Sequence, residues 1–425
     1  MQKYIEKARN IVFSGTAKDT YVLFLGNLFS AFWGFVFTVF VSRELSRNDF
    51  GVFSAALNLV IILSSLADIG ITSGLVNFVS KNSNAGEEAL SHKYEKAGLV
   101  IRLVMITLLS GIVIIFAPFI SKSMLATTDP MVAIWASIIS FVLFVPMYFP
   151  SVLQAKRKFL KSVIVDNLYY IFRLVALFGF IYFGTISLYI AFSTAIFGFV
   201  VSLVVSFVFL GVKFLKSKPD FNIYKELIKF SGWIGVNRII SSVSGRLDIQ
   251  MLASIAGATA TALYSIPSRL SSFIVILTSS FSAVLAPRFA AFQNKEQEKK
   301  YLVKASFALI PIILITILWV IFAKPFMFIL FPNYMDSVPI FQALTLSMIP
   351  FILTAPSVAA IIYAMRKNVY IGAFSFFQIV IIFLLNSYFI PKYGPIGPTV
   401  TYGITNTILA VYTWVIVIKY YWYQK

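Results

Sequence analysis

The sequence predicts an all-α membrane protein with about twelve transmembrane helices in two six-helix lobes. Apolar runs of about 20 residues, the length that crosses a bilayer as a helix, recur along the whole chain. Of its 425 residues, 59% are hydrophobic and only 12% are charged. The basic residues collect in alternate loops, which is typical of a chain that crosses a membrane repeatedly. These three observations predict a polytopic helical protein.

The apolar runs fall into two groups of six. The first six predicted spans lie near residues 20–41, 51–79, 97–120, 131–153, 163–183 and 187–212. The second six lie near residues 228–256, 259–287, 303–330, 338–363, 369–390 and 396–418. We therefore predict an N-terminal lobe over 1–212, which begins with an amphipathic N-terminus, a basic cytoplasmic connector over 213–227 and a C-terminal lobe over 228–425.

The formal net charge of +19 would suit a nucleic-acid partner, but the distribution of the charges indicates membrane topology instead. Most of the 35 lysines and arginines, with Arg102 counted among them, lie in loops on the side of the N-terminus. The opposite loops contain only Arg43, Arg47, Lys122, Lys324 and Lys392. Because cytoplasmic loops are enriched in Lys and Arg, we predict that both termini are cytoplasmic and that no nucleic acid is bound.

Several kinds of chemistry have no residues to support them. The chain has no cysteine and a single histidine, His92, which lies in a polar loop, so a thiolate or histidine metal site is not expected. Neither the phosphate-cradling pattern G-x-x-x-x-G-K-[ST] nor the nucleophile pattern G-x-S-x-G occurs. We predict no enzyme and no cofactor, and leave open a coupled proton or sodium ion.

The most unusual stretch is Ser231–Arg269, which places Arg238, Arg246, Asp248 and Arg269 within two predicted spans. An unpaired charge near the centre of a bilayer costs about 2.5 to 3.5 kcal/mol. Arg246 lies about fifteen residues into its span, near mid-membrane at about 1.5 Å per residue, so it needs a polar cavity or a partner. A polar stripe runs along the same helix at about 100° per residue. It comprises Asn237, Ser241, Ser244 and Asp248.

Two further spans carry charges. The second span has a polar face that comprises Ser54, Asn58, Ser65, Asp68 and Thr72. Asp68 is expected to be a proton or cation site, a partner of an arginine, or an acid that binds backbone groups near the cytoplasmic end of its helix. The fifth span has Asp166 and Arg173 on one face with two tyrosines. Arg173 is expected to contact an anionic head group or to pair with Asp166 or another acid.

The two halves of the chain echo each other weakly. Shifting the first span along the chain lays Asn27 on Arg238, so the first half presents an amide where the second half presents a cation. Arg269 either faces an internal cavity or reaches out to lipid phosphates. Four buried arginines opposed by three acids favour an anionic substrate. We expect its phosphates to lie nearer the C-terminal lobe, with Arg173 on the other side.

Two stretches carry a family resemblance. They are Phe40–Lys81, with Arg43–Gly51 and the triplet Asp68-Ile69-Gly70, and the seventh and eighth spans, with Arg246-Leu247-Asp248 and Leu263-Tyr264-Ser265. They resemble the oligosaccharide or O-antigen flippases, the polysaccharide-transport branch of the multidrug/oligosaccharidyl-lipid/polysaccharide (MOP) exporter superfamily. The resemblance implies a V-shaped bundle like that of the MATE transporters.

The resemblance also implies a function. Such a protein lies in the bacterial cytoplasmic (inner) membrane and moves an undecaprenyl-diphosphate-linked oligosaccharide to the periplasmic leaflet by alternating access, for O-antigen or capsule-type polysaccharide. Its partners would be this substrate, membrane lipids and other polysaccharide-assembly proteins. The alternative is a cation-coupled multidrug or small-molecule exporter, although the first span lacks the coupling carboxylate that some of these carry. A membrane enzyme of polysaccharide assembly is less favoured, because the outward loops are short.

Overall fold

The computed structural model of the protein describes residues 15–184 and 186–423, and its regular structure in these residues is helical throughout. The helices of the first half are α1 Gly15–Glu44, α2 Arg47–Asp68, α3 Ile71–Asn84, α4 Glu88–Ile115, α5 Ala117–Met124, α6 Pro130–Ala155, α7 Phe159–Tyr182 and α8 Leu188–Leu210. Those of the second half are α9 Phe221–Ser244, α10 Leu247–Ala291, α11 Lys295–Phe307, α12 Ile310–Ile321, α13 Ala323–Leu330, α14 Val338–Ser347, α15 Ile349–Ala359, α16 Asn368–Tyr393 and α17 Gly397–Ile418. Residues 1–14, which hold most of the predicted amphipathic N-terminus, lie outside the described residues.

Ten segments of the described chain are long and apolar enough to cross a membrane. Two of them, Phe221–Ala291 and Asn368–Tyr423, contain 71 and 56 residues. At about 1.5 Å per residue each far exceeds a hydrocarbon core of about 30 Å, so each corresponds to two crossings. Gly257 (φ 83°) and Gly394 (φ 57°) interrupt the two segments. This architecture confirms the predicted all-α membrane fold with about twelve crossings.

Several predicted spans are broken into shorter helices. The second span is divided between α2 and α3, and the seventh between α9 and the start of α10. The α9 helix begins at Phe221, so it includes the last part of the connector predicted over 213–227. The start is fixed by Asp220, whose carboxylate accepts a hydrogen bond from the backbone N–H of Ile223 at 3.1 Å, an arrangement that caps a helix.

The described chain packs into two compact units. The first unit comprises residues up to Leu45, Leu59–Ser121 and Thr128–Ile239, and the second comprises Ser46–Asn58, Lys122–Thr127 and the chain from Ile240 onward. The unit boundaries therefore pass through α2, α5 and α9. The predicted division into lobes 1–212 and 228–425 follows span order and stays a prediction.

Each unit has its own buried core. In the first unit Leu75, Tyr148 and Leu227 lie in one apolar cluster, which joins α3, α6 and α9. In the second unit Leu252 and Tyr264 of α10 pack with residues of α14, α15 and α16. These cores hold the broken helices that carry the charged side chains.

Two residues predicted on the same side of the membrane meet in the second unit. Arg47 Nη1 lies 2.7 Å from Asp336 Oδ2, and Arg47 Nε donates a hydrogen bond to the carbonyl of Asn333 at 2.8 Å. The Arg47 guanidinium also lies 5.9 Å from the ring of Tyr334. The contact connects the start of α2 to the loop ahead of α14.

Candidate functional site

A left-handed backbone break ends the first half of the second span. Ile69 and Gly70 have φ values of 40° and 72°, a region that side chains with a Cβ rarely adopt. A Cβ on Gly70 would lie 2.6 Å from the carbonyl oxygen of Ser231 and 2.7 Å from the backbone nitrogen of Gly235. Only glycine therefore allows α9 to lie directly against this break, and the break aims Asp68 at the neighbouring helices.

Asp68 is the centre of a buried ionic cluster in the first unit. Its carboxylate accepts hydrogen bonds from Arg238 Nη1 at 2.6 Å and from the Thr72 hydroxyl at 2.6 Å. The backbone N–H of Thr72 donates to the same carboxylate at 3.2 Å. Arg102 Nε lies 3.8 Å from its other side. We call Asp68, Thr72, Arg102 and Arg238 the Asp68 cluster. Asp68 is thus an arginine partner that also binds backbone, two of the three roles expected for it.

Arg102 was assigned to the cytoplasmic loops by the sequence, and the structure corrects this assignment. The residue lies within α4 and is only 3% exposed. Its guanidinium lies 4.2 Å from the ring centroid of Phe144 and 5.7 Å from that of Tyr148, and its Nη1 donates to the Thr72 hydroxyl at 3.3 Å. Its place a few residues inside the third predicted span was the signal that would have identified it.

Arg173 lies in a different part of the first unit. Its guanidinium carbon is 3.9 Å from the ring centroid of Phe37, a cation–π contact. Its Nε and Nη2 atoms are buried and lack a hydrogen-bond partner. No carboxylate of the described residues lies within 4.0 Å of it. Arg173 is therefore a buried cation with unused donors.

Arg173 is not paired with Asp166, which was one of three contacts expected for it. The two residues share α7 but lie seven positions apart, which separates them by about 10.5 Å along the axis. Asp166 instead accepts a hydrogen bond from the Ser30 hydroxyl of α1 at 2.6 Å. The contact is one of several between α1 and α7, since Asn167 donates to the carbonyl of Gly26 at 3.1 Å. Asp166 therefore fastens α1 to α7.

The second unit contains another helix break, at Gly245 and Arg246. The side-chain amide of Asn58 donates to the Arg246 carbonyl at 2.8 Å and to Gln250 Oε1 at 3.3 Å. Gln250 Nε2 in turn donates to the carbonyl of Met124. We call Asn58, Gln250 and Met124 the amide bridge. These neutral groups satisfy the broken backbone, and the Arg246 side chain forms no ion pair within the described residues.

Asp248, the acid nearest Arg246 along the chain, is hydrogen-bonded to a tyrosine. Asp248 is 2% exposed and accepts a hydrogen bond from the Tyr264 hydroxyl at 2.7 Å. Its other oxygen, Oδ1, is buried without a hydrogen-bond partner. The predicted charge partner of an arginine is therefore a tyrosine partner in the structure.

The remaining predicted residues lie outside these clusters. Arg269 is partly buried within α10. Asn237 donates to the carbonyl of Trp233 in its own helix at 3.1 Å, and Asn27 is exposed on α1. Of the nine predicted site residues, Asp68 and Arg238 are in direct side-chain contact.

A second buried ion pair was missed by the sequence. Lys156 Nζ lies 2.6 Å from Glu95 Oε1, and Glu95 is fully buried. The Tyr148 hydroxyl donates to the Glu95 carbonyl. Both charges lie close to predicted loops, so the sequence offered no sign that they are buried.

The comparisons with known proteins assign the family. The sequence pattern of the family described as "Polysaccharide biosynthesis protein" matches residues 16–293, well over half of the chain. The protein belongs to this family. No curated protein sequence matches the chain.

Solved structures of MOP transporters share the fold. A multidrug resistance MATE transporter in an inward-facing conformation superimposes with a TM-score of 0.75 at 14% identity, over 91% of this chain and 93% of that chain. The lipid II flippase MurJ in an inward closed conformation gives 0.74 at 16% identity, over 93% and 87%. A MOP superfamily transporter from Pyrococcus furiosus, described as having a binding pocket of reverse polarity, gives 0.60 at 15% identity, over 94% and 92%. Identities this low show the fold alone, and the fold is the one that these multi-pass transporters share.

Proposed function

We propose that the protein is a flippase that moves an undecaprenyl-diphosphate-linked oligosaccharide repeat unit across the bacterial cytoplasmic membrane by alternating access. Its membership of a polysaccharide biosynthesis family supports a saccharide cargo. Its fold, shared with the lipid II flippase, supports a cargo carried on a lipid. The product would serve surface polysaccharide of the O-antigen or capsule type, with both termini of the protein in the cytoplasm.

One observation carries this proposal: two arginines within the predicted spans, the buried Arg173 and the partly buried Arg246, have no carboxylate of the described residues beside them. Arg173 and Arg246 form no ion pair within the described residues, while Asp166 and Asp248 are hydrogen-bonded to a serine and a tyrosine. Arginine presents parallel N–H donors that match phosphate oxygens. A diphosphate that enters the bundle would therefore supply the missing negative charge.

The same fold also supports the alternative, a cation-coupled exporter of drugs or small molecules, because the MATE transporter superimposes equally well. A cationic drug would bind to acids, and Asp166 and Asp248 already accept hydrogen bonds from the hydroxyls of Ser30 and Tyr264. The guanidinium groups of Arg173 and Arg246, which form no ion pair in the described part of the chain, therefore favour an anionic cargo. Transport would draw on the substrate gradient, the membrane potential or a coupled proton or sodium ion.

The purified protein should be reconstituted in proteoliposomes with a fluorescent undecaprenyl-diphosphate-linked sugar in one leaflet. We expect the protein to accelerate transfer of this lipid between leaflets and to leave the efflux of ethidium, a cationic drug, unchanged. Protein-free vesicles are the control for spontaneous transfer. If the protein exports ethidium and does not transfer the lipid, the flippase proposal is contradicted and the drug-exporter alternative is supported.

A further inference from the structure

The Asp68 cluster contains two cations for one carboxylate. Arg238 Nη1 lies 2.6 Å from Asp68 Oδ2, and Arg102 Nε lies 3.8 Å from Asp68 Oδ1. The two arginines thus face different oxygens of the same carboxylate. Since all three residues lie in the first unit, the excess positive charge is a property of that unit.

The two arginines differ in accessibility. The Arg102 side chain is 4% exposed, while that of Arg238 is 48% exposed. Arg102 is held by the Thr72 hydroxyl and lies over the Phe144 ring. Arg238 lies on α9, a different helix from its carboxylate. A ligand can therefore reach Arg238 but not Arg102.

Arg102 also has an unused donor. Its Nε is buried without a hydrogen-bond partner, although it lies 3.8 Å from the carboxylate. If Arg238 moved away, Asp68 would keep a cation beside it and could gain a hydrogen bond from Arg102 Nε. Without Arg102, the departure of Arg238 would leave a buried carboxylate with no cation, which is strongly unfavourable.

We propose that Arg238 exchanges Asp68 for a phosphate group of an incoming diphosphate, and that Arg102 is the positioning residue that neutralises Asp68 while Arg238 is engaged. Arg238 approaches the carboxylate as it would a phosphate, through charge-assisted hydrogen bonds. A diphosphate carries more negative charge than one carboxylate and so competes for the guanidinium. The exchange requires only that a diphosphate binds. That this diphosphate is attached to a lipid is taken from the proposed function.

The variant Arg102→Met tests the exchange, because it removes the second cation and roughly keeps the side-chain volume. We expect the Kd for undecaprenyl diphosphate in detergent to rise by about tenfold or more, since a buried charge left without its partner is penalised. Arg102→Lys, which keeps the charge, should recover part of the affinity. The exposed Arg288 supplies a matched control, Arg288→Ala, whose affinity should equal that of the wild type.

A rescue separates positioning from a merely structural role. In Arg102→Met/Asp68→Asn the carboxylate is gone, so Arg238 has nothing to leave, and the affinity should return to within about threefold of the wild type. Adding Arg238→Ala to this double variant should weaken binding again by about tenfold, the loss of one charge-assisted contact. The comparison of the triple with the double variant tests whether Arg238 binds the diphosphate, even if Arg102→Met alone does not fold.

The proposal is overturned if Arg102→Met binds as tightly as the wild type, if the double variant stays as weak as the single one, or if the triple variant binds as tightly as the double one. Inorganic pyrophosphate, titrated in parallel, separates this proposal from the proposed function. If pyrophosphate binds in a way that depends on Arg102 and the lipid does not bind, the exchange at Arg238 is supported and the lipid substrate is contradicted. If the lipid binds equally well with and without Arg102, the flippase function is supported and the exchange is contradicted.

Discussion

The structure contains two helix breaks, and the polar groups that surround them differ in chemistry. At Ile69–Gly70 in the first unit, the polar groups around the break are charged, and Asp68 holds Arg238 and Arg102. At Gly245–Arg246 in the second unit, the break is held by the neutral amide bridge, through Asn58. The first break therefore pairs its two arginines with one carboxylate, whereas the second leaves its arginine without an ion pair in the described residues.

This difference distinguishes arginines that are available to an anion from those that are occupied. Arg246 has no carboxylate to release, and neither has Arg173 above the Phe37 ring. Arg238 must first leave Asp68. Because Arg246 and Arg173 have no carboxylate to release and Arg238 has one, we predict that substitutions at the three positions have different consequences.

The largest effect is expected from Arg246→Ala and Arg173→Ala, tested singly. Each removes a cation that forms no ion pair within the described residues, and a hydrogen bond to a charged group is worth about 1.5 to 3 kcal/mol. We expect the translocation rate in proteoliposomes to fall by about 100-fold. The control Arg288→Ala should transport normally, and size-exclusion chromatography should show folded protein for all three. Normal transport by either variant would contradict the role of that arginine.

Arg246→Lys should recover little of this loss. Lysine keeps the charge but not the planar pair of donors that binds a phosphate bidentately, so we expect a rate about tenfold below that of the wild type. A rate near that of the wild type would mean that positive potential alone is needed. The measurement is the same transfer assay at equal protein density.

The two breaks should respond differently to an added methyl group. Gly70→Ala forces a Cβ into a left-handed residue 2.6 Å from the Ser231 carbonyl, which should cost about 1 to 3 kcal/mol. Gly245→Ala places its Cβ 3.4 Å from the nearest atom and should be neutral or slightly stabilising. Thermal unfolding in detergent would compare them, and equal midpoints would refute the close packing at Gly70.

The smallest effect is expected at the amide bridge. Asn58→Ala removes the donor to the Arg246 carbonyl, a hydrogen bond with a net worth of about 1 kcal/mol. We expect a small fall in the unfolding midpoint and a modest fall in transport. A loss of transport as large as that of Arg246→Ala would show that the bridge positions the arginine rather than only the backbone.

The sequence was sufficient for the fold class, because apolar runs of about 20 residues report directly on the number of crossings. It also placed Asp68 and Arg238 inside predicted spans. It could not pair them, since their contact depends on the left-handed turn at Gly70 and the close approach of α9. Arg102 was missed because it lies near the boundary of a predicted span, where a single basic residue is usually assigned to the loop. Its burial depends on the packing of the folded protein.

The most direct test of the central claim is the transfer rate of a fluorescent undecaprenyl-diphosphate-linked sugar in proteoliposomes that contain the double variant Arg173→Ala/Arg246→Ala. The wild type should move the lipid, and the folded double variant should show only the spontaneous rate of protein-free vesicles. Transfer by the double variant at the rate of the wild type would contradict a mechanism in which unpaired arginines receive the diphosphate.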